Sequence, residues 1–262
     1  MSHLSSIKAF LVGSRLEPAA LRLRWLLNFP QRYRHPELWG IYLEEAHLPL
    51  VLRKLLKPNS SAVDVGAHIG SFTSLLLQVA PKGRHIAIEA SPSKSAWLKK
   101  RFHDVDVHSV AASDTNGTAT FQEDTQLSGF SRLAAESTND HCISYSVETC
   151  RLDSVLNGRD VNLIKIDVEG LELSVLRGAT ETIKRSRPAI IFECGAEYAL
   201  RDQGISRREL YDYLTRDLNY SVSTFADFLF DKGGMEFDEF KRCGLYPFVA
   251  FNFVAIPSPP AA

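Results

Sequence analysis

Short apolar segments alternate with longer amphipathic segments from Ser61 onward, and this alternation restricts the fold more than any other feature of the chain. The apolar segments have the length of buried strands: AVDVG, HIAIEA, VHSVAA, NLIKIDV and AIIFEC. Helical patterns such as SFTSLLLQVA and ELSVLRGATETIKR separate them. Strands that alternate with helices form right-handed crossovers and a parallel sheet. We therefore predict an α/β fold with helices on both faces of the sheet.

The remaining segments predict a helical extension and additional strands. Residues 1–57 alternate apolar clusters with arginines, as amphipathic helices do, and prolines at 18, 30, 36, 49 and 58 divide them into short pieces. An insertion over about residues 114–150 contains the strand-like GTATFQ and ISYSVET, and PFVAFNFVAI predicts a final strand. We expect an N-terminal helical extension over 1–57 and one main domain over 58–257.

The segment from Leu16 to Phe29 interleaves arginines with leucine and tryptophan. Such a segment is typical of a half-buried helix that caps a larger domain, and it also suits a helix that lies on a membrane surface. We favour the cap and keep peripheral membrane contact as the alternative. The apolar N-terminal segments also suggest a homodimer.

Charge and composition exclude several classes of protein. Lys+Arg 30 against Asp+Glu 31 give a formal net charge of -1, so the total charge does not favour a nucleic-acid partner. No apolar run approaches the roughly 20 residues that cross a bilayer. The N-terminus lacks the pattern of a signal peptide, and the four cysteines form no Cys-x-x-Cys pair. We therefore expect a cytoplasmic protein without a transmembrane segment.

The segment VDVGAHIGSFT joins the first predicted strand to a helix and has the character of a ligand-binding turn. Glycine lets the backbone approach a ligand closely, and a helix N-terminus offers free N–H groups. The turn contributes five candidate cofactor-binding residues: Gly66, Ala67, His68, Gly70 and Ser71. Because His68 stands where a dinucleotide-binding Gly-x-Gly-x-x-Gly has its second glycine, the turn does not match that motif.

Three strand ends point to S-adenosylmethionine (SAM) as the cofactor. Asp64, beside the turn, would repel a pyrophosphate and attract an ammonium group, which SAM carries. Glu89 ends the second predicted strand, where an acid accepts hydrogen bonds from ribose hydroxyls, and Ala90 follows it. Ala112 and Ser113 end the third and are candidates to meet an adenine edge. Together these positions predict a SAM site.

Five motifs, in this order, resemble those of the FkbM-type SAM-dependent methyltransferases: VDVGAHIGSFT, AIEASP, VAASD, LIKIDVEGLELSVLRGA and RPAIIFE. The resemblance covers roughly residues 40–195, and KIDVEG followed by LRGA is its most specific part. It implies a class I methyltransferase, Rossmann-like fold, with a seven-stranded sheet whose last strand is antiparallel. It also implies methyl transfer to a hydroxyl oxygen, commonly on sugars or polyketide-like natural products. His68 stands where the family usually has Asn, and Ala90 where Pro is frequent.

The segment LIKIDVEGLE places candidate catalytic residues at the end of the fourth predicted strand. Asp167 is expected near the reacting atoms, as a base, as the orienter of the substrate hydroxyl or as the partner of the cofactor's amino group. Lys165 either holds these acids and touches substrate or forms a structural ion pair, and Glu169 either faces the site or begins the next helix. Glu193 ends the fifth strand. Although neighbouring carboxylates could hold a divalent metal, a hard cation needs more oxygen ligands, and we expect none.

The sequence therefore predicts a SAM-dependent O-methyltransferase with a small-molecule, sugar, glycan or natural-product acceptor. The alternatives are methylation of RNA or protein and a catalytically silent, cofactor-binding scaffold. The neutral total charge argues against RNA, and the strand-end acids argue against a scaffold. We expect the acceptor to be recognised by the N-terminal helices, the insertion around 124–142 and the loop around 226–246.

Overall fold

Two β-sheets organise the protein in the computed structural model, which describes residues 11–124, 132–133, 142–195 and 206–259. The strands, in chain order, are β1 (Ala62–Val65), β2 (Ile86–Ile88), β3 (Asp106–His108), β4 (Ala111–Ser113), β5 (Gly117–Asp124), β6 (Arg132–Leu133), β7 (Cys142–Arg151), β8 (Leu163–Ile166), β9 (Ala189–Glu193), β10 (Tyr220–Thr224) and β11 (Asn252–Pro257). The larger sheet has the order β10-β11-β9-β8-β1-β2-β3, and the smaller one the order β4-β7-β5-β6.

The larger sheet is parallel except for β11, which runs antiparallel to both β9 and β10. β1 lies between β2 and β8, and its register with β8 sets Asp64 beside Lys165. Every residue of β1 and of β8 is buried, as expected for central strands that are covered on both faces. The predicted seven-stranded sheet with an antiparallel last strand is confirmed.

Helices cover both faces of this sheet. They are α1 (Glu17–Leu27), α2 (Phe29–Arg34), α3 (Trp39–Leu55), α4 (Ser71–Val79), α5 (Pro92–Arg101), α6 (Leu152–Leu156), α7 (Glu172–Gly178), α8 (Thr180–Ser186), α9 (Arg207–Asp212), α10 (Phe225–Leu229) and α11 (Phe237–Cys243), with a 3-10 turn at Pro36–Leu38 and a π-helical turn at Tyr213–Asp217. Neighbouring residues of β8 enter different cores: Leu163 packs in the cluster with Val51 and Leu76, whereas Ile164 packs in the cluster with Phe192 and Leu173.

α3 belongs to the core of the main domain although it lies within the predicted extension, whose residues 1–10 fall outside the described residues. Val51 and Leu52 are fully buried against the sheet. Glu44, also buried, accepts hydrogen bonds from the backbone N–H groups of Phe251 (2.7 Å) and Asn252 (3.0 Å) and from Asn252 Nδ2 (2.7 Å). These contacts join α3 to the first residues of β11.

Two expectations about element boundaries were wrong. Pro49 does not end a helix, because α3 continues through it from Trp39 to Leu55. The apolar segment VHSVAA is not one strand: β3 stays in the larger sheet, whereas β4 pairs in parallel with β7. The ten-residue β7, which lies in the insertion, is the strand with which β4 pairs instead of continuing β3. The strands predicted in GTATFQ and ISYSVET are confirmed as β5 and β7.

Candidate active site

A cavity of about 1020 Å³ lies at the carboxyl ends of β1, β2, β8 and β9. β1 is where strand order reverses, the position at which open α/β sheets bind ligands. The lining includes most of the predicted site residues: Gly66, Ala67, His68, Ser71, Glu89, Ala90, Ala112, Lys165, Asp167 and Glu169. The opposite wall comes from α1 and α3, through residues such as Leu21, Leu27 and Leu48. The cavity therefore separates the sheet edge from the N-terminal helices.

The turn after β1 has a backbone shape that glycine makes accessible. Gly66 has a φ of 76°, and a Cβ at this position would lie 1.8 Å from the carbonyl oxygen of Asp167. His68 also has a positive φ, of 53°, and its backbone N–H donates to Glu89 Oε2 at 2.7 Å. The turn is thus held between the ends of β2 and β8.

Glu89 is buried at the end of β2, and each of its carboxylate oxygens accepts a hydrogen bond from a backbone N–H group. Oε2 accepts from His68, and Oε1 accepts from the N–H of Ser91 at 2.8 Å. Burial raises the pKa of Glu89, an effect that these N–H groups and the nearby Lys94 oppose. Because a carboxylate oxygen has two lone pairs, each can accept a further hydrogen bond from a ligand in the cavity.

Lys165 joins two acids beneath and beside the turn. Its Nζ lies 3.0 Å from Asp167 Oδ2 and 3.4 Å from Asp64 Oδ1, and it donates to the carbonyl of Gly66 at 3.3 Å. Asp64 is fully buried and also accepts from Thr73 Oγ1 at 2.6 Å. Burial opposes the charge of Lys165, but Asp167 and Asp64 outweigh it and raise the pKa of the lysine well above its ordinary value. Asp64 therefore affects the cavity only through Lys165, which it holds from beneath the turn.

Asp167 and Glu193 form a carboxyl pair at the ends of β8 and β9. Burial by itself would raise the pKa of Asp167, but Lys165 and a hydrogen bond from Glu193 hold it below the ordinary value. Burial and the charge of Asp167 raise the pKa of Glu193 well above its ordinary value. Of the two acids, Glu193 therefore holds a proton more readily than Asp167. Across the described residues, no three His, Cys, Asp or Glu side chains are grouped so that they could hold a metal ion.

The turn between β8 and α7 is held by Glu172. Its Oε1 accepts from the N–H groups of Val168 (3.3 Å) and Gly170 (3.1 Å), across two residues with positive φ, Glu169 (54°) and Gly170 (103°). Burial raises the pKa of Glu172 to about 7, although these N–H groups oppose the shift. Glu169 lies in the cavity lining, before the first residue of α7.

Two predicted cofactor-binding residues lie in packing contacts. Gly70 has a φ of 85° where α4 begins, and a Cβ there would lie 2.3 Å from the ring of Phe102. The carbonyl oxygen of Ser113 lies 2.0 Å from where a Cβ on Gly178 would be, so β4 and α7 are in close contact. Gly70 and Ser113 therefore affect the cavity indirectly, by positioning α4 and by the contact of β4 with α7.

Sequence reasoning placed Glu193 at a strand end beside Asp167 only as a possible metal ligand, and it did not identify the residues that close the cavity. The only signal for Glu193 is that an acid ends an apolar strand. The closing wall depends on Glu17, which is buried and accepts from the Gly13 N–H at 2.9 Å and from Ser74 Oγ, joining the start of α1 to α4. No motif marks such a contact. Most of the insertion at 124–142, predicted to recognise the acceptor, lies outside the described residues.

The sheet order, the reversed β11 and the position of the cavity define the class I methyltransferase fold. Residues 64–222 match the model of the methyltransferase FkbM domain. The chain belongs to the FkbM methyltransferase family.

Two curated proteins and one solved structure are similar to the chain. The chain is 29% identical over 160 residues to the 2-O-methyltransferase NoeI of Sinorhizobium fredii (strain NBRC 101917 / NGR234), a match that covers 52% of this chain and 64% of NoeI. It is 28% identical over 148 residues to Methyltransferase 1 of Beauveria bassiana (strain ARSEF 2860), covering 46% and 58%. A crystal structure of an FkbM methyltransferase from Methylobacillus flagellatus KT is 18% identical, with a TM-score of 0.48, covering 78% of this chain and 45% of that one. The chain spans less than two thirds of each relative's length.

Proposed function

We propose that the protein is a SAM-dependent O-methyltransferase that acts on a hydroxyl group of a small-molecule, saccharide or natural-product acceptor. The observation that carries the proposal is that one cavity contains both Glu89 and the Asp167–Glu193 carboxyl pair. Its volume of about 1020 Å³ is at the upper end of the range for ligand pockets, so an acceptor fits beside the cofactor. NoeI, a relative that is named a 2-O-methyltransferase, supports a hydroxyl acceptor.

The residues along the sheet edge fit SAM. Glu89 offers two carboxylate oxygens that each keep a lone pair for a ribose hydroxyl. Ala111 and Ala112 line the cavity with small side chains that leave room for an adenine, and Gly66 and Ala67 line it at the first turn. A pyrophosphate would lie near Asp167, which is ionised, so a dinucleotide fits less well.

When bound, the cofactor supplies a methyl group that is already activated by its sulfonium. The chain must then hold the acceptor hydroxyl in line and receive its proton. Asp167, kept ionised by Lys165, would accept a hydrogen bond from the acceptor hydroxyl and would take its proton when the methyl group passes from the sulfonium to the hydroxyl oxygen, which leaves S-adenosylhomocysteine. Glu193 donates to Asp167 and thereby holds that carboxylate in one orientation.

Calorimetric titration with SAM and S-adenosylhomocysteine, with NAD as the control ligand and with and without magnesium, tests the cofactor. We expect both sulfur ligands to bind and NAD not to bind. Glu89→Ala should weaken SAM binding by about 1.5 to 3 kcal/mol, the range for hydrogen bonds to a charged group. Glu181→Ala, at an exposed position in α8, is the matched control and should bind normally. Absence of SAM binding, or unchanged binding by Glu89→Ala, would refute this site.

An assay of methyl transfer to a panel of hydroxylated saccharides and natural products tests the reaction. The measured quantity is the S-adenosylhomocysteine that is released. Asp167→Asn should lose turnover while it still binds S-adenosylhomocysteine, because the amide keeps the shape of the side chain and cannot accept the proton. A fully active Asp167→Asn variant would remove Asp167 from the mechanism. Transfer to RNA or protein alone, or to no acceptor in spite of SAM binding, would favour the alternative functions.

A further inference from the structure

The outer face of α1 and α2 exposes a group of large apolar side chains. Its large apolar side chains are between 43% and 79% exposed: Leu16, Trp25, Leu26, Phe29 and Tyr33. The inner side of α1 is apolar as well, since Leu21, Leu23 and Leu27 line the cavity. A helix that is apolar around most of its circumference is normally covered on both sides. In the described part of the chain, α1 faces the cavity on its inner side, and its outer side carries the exposed side chains named above.

The same segment is strongly cationic in a chain that is close to neutral. Residues 11–34 contain five arginines and a single acid, Glu17, whereas the whole chain has Lys+Arg 30 against Asp+Glu 31. Glu17 is buried, Arg24 pairs with Glu45 of α3, and Arg32 is buried, so the charge at the surface comes from the other three arginines. Arg15, Arg22 and Arg34 are exposed among the apolar side chains. The guanidinium of Arg32 lies 4.9 Å from the centre of the Trp25 ring and keeps that ring in place on the outer face.

We propose that this face, formed by the exposed side chains of residues 15–34, binds the surface of an anionic lipid bilayer. Leucine and aromatic side chains enter the boundary between headgroups and acyl chains, while arginines contact anionic headgroups. Tryptophan and tyrosine favour this boundary. Since no helix in the described residues is long and apolar enough to cross a membrane, the contact is peripheral.

Charge distinguishes a bilayer from a second copy of the chain. A two-fold symmetric dimer through this face would set each patch of arginines against the same patch on the partner. Like charges in a desolvated contact are unfavourable, and α1 and α2 expose no acid that could neutralise them. An anionic bilayer matches both the charge and the apolar area.

Binding in this orientation would set the cavity beside the lipid surface, because α1 lines the cavity with its inner side and exposes its outer side. The surface is independent of the proposed reaction, since Trp25, Leu26 and Phe29 lie outside the lining. Membrane binding can therefore be measured without a methyl acceptor.

Sedimentation of the full chain with lipid vesicles tests the proposal. We compare vesicles of phosphatidylcholine alone with vesicles that also contain phosphatidylglycerol. Binding should require the anionic lipid and weaken as salt is added. Arg22→Glu should lower the partition coefficient by about five-fold or more, and Leu26→Ser by about ten-fold. Lys82→Glu makes the same change of charge at an exposed position before β2, at the opposite edge of the sheet, and should bind as the unaltered chain does.

Several results would overturn the proposal. These are absence of binding to either vesicle, equal binding to both, or an effect of Lys82→Glu as large as that of Arg22→Glu. Dimer formation that Leu26→Ser abolishes, without vesicle binding, would assign the face to a second copy. Circular dichroism and urea unfolding of each variant, expected to match the unaltered chain at these exposed positions, confirm that lost binding is not lost folding.

Discussion

Replacing Lys165 by methionine would leave two acids without their shared cation. Lys165 is 9% exposed, and its Nζ lies 3.0 Å from Asp167 and 3.4 Å from the fully buried Asp64. Methionine has a similar length and volume, so the main loss is the charge and the hydrogen bond to Gly66. Removing one partner of a buried ion pair typically costs about 3 to 5 kcal/mol, because the remaining charge is not compensated. We expect Lys165→Met to lose that much free energy of unfolding.

Urea unfolding followed by tryptophan fluorescence measures this loss as a lower midpoint at unchanged slope. The matched control is Lys232→Met, which removes the same charge from a pair with Asp227 at 3.0 Å. The Lys232 side chain is 65% exposed, so its pair should contribute about 1 kcal/mol or less.

A second variant separates the charge from the packing of the lysine. Asp64→Asn added to Lys165→Met should recover part of the stability, because it removes the acid that was left without a cation. If Lys165→Met costs no more than the exposed control, or if Asp64→Asn makes it worse, the electrostatic account of this network is wrong.

Two further predictions concern the turns that border the cavity. Burial raises the pKa of Glu172 from 4.5 to about 7, so the folded chain keeps a proton that the unfolded chain releases, and stability should fall as pH rises between these values. The free energy of unfolding should fall by roughly 3 kcal/mol across this pH range, and Glu172→Gln should remove that fall. Urea midpoints at a series of pH values measure it, and a variant whose free energy of unfolding still falls as much with pH would contradict the prediction. Gly66→Ala should be strongly destabilising because its Cβ would meet Asp167, whereas Gly158→Ala, which also has a positive φ but meets nothing within 4 Å, should cost only about 1 to 2 kcal/mol; equal costs would refute the steric argument.

The alternation of strands and helices was readable because each segment carries its own period. AVDV and LIKI are apolar apart from Asp64 and Lys165, which pair with each other. Such segments are typical of strands buried on both faces, and both are central strands in the structure. The family was readable from KIDVEG and the motifs around it, and the match over residues 64–222 confirms it. Glu89 and Asp167 could be proposed as site residues because strand ends of a parallel sheet meet at one edge.

Other features depend on partners that are distant in the chain. The break between β3 and β4 follows from pairing with β7, some forty residues later, and Pro49 stays within α3 because that helix packs on the sheet. Local propensity contains no information about either contact. Glu193 was expected at a strand end next to Asp167, but its hydrogen bond to Asp167 depends on the pairing of β8 with β9.

The sequence by itself determined the order of the elements, the parallel sheet and the carboxylates available at its edge, because periodicity and residue type are local properties. Only the tertiary structure decided in which direction the pKa of each acid shifts, because the shift depends on burial and on the nearest charges. It also decided what closes the cavity, through Glu17 and Ser74. The apolar, arginine-rich N-terminal helix was visible in the sequence, but whether its leucines were covered depended on what packs against it, and the fold leaves its outer face exposed.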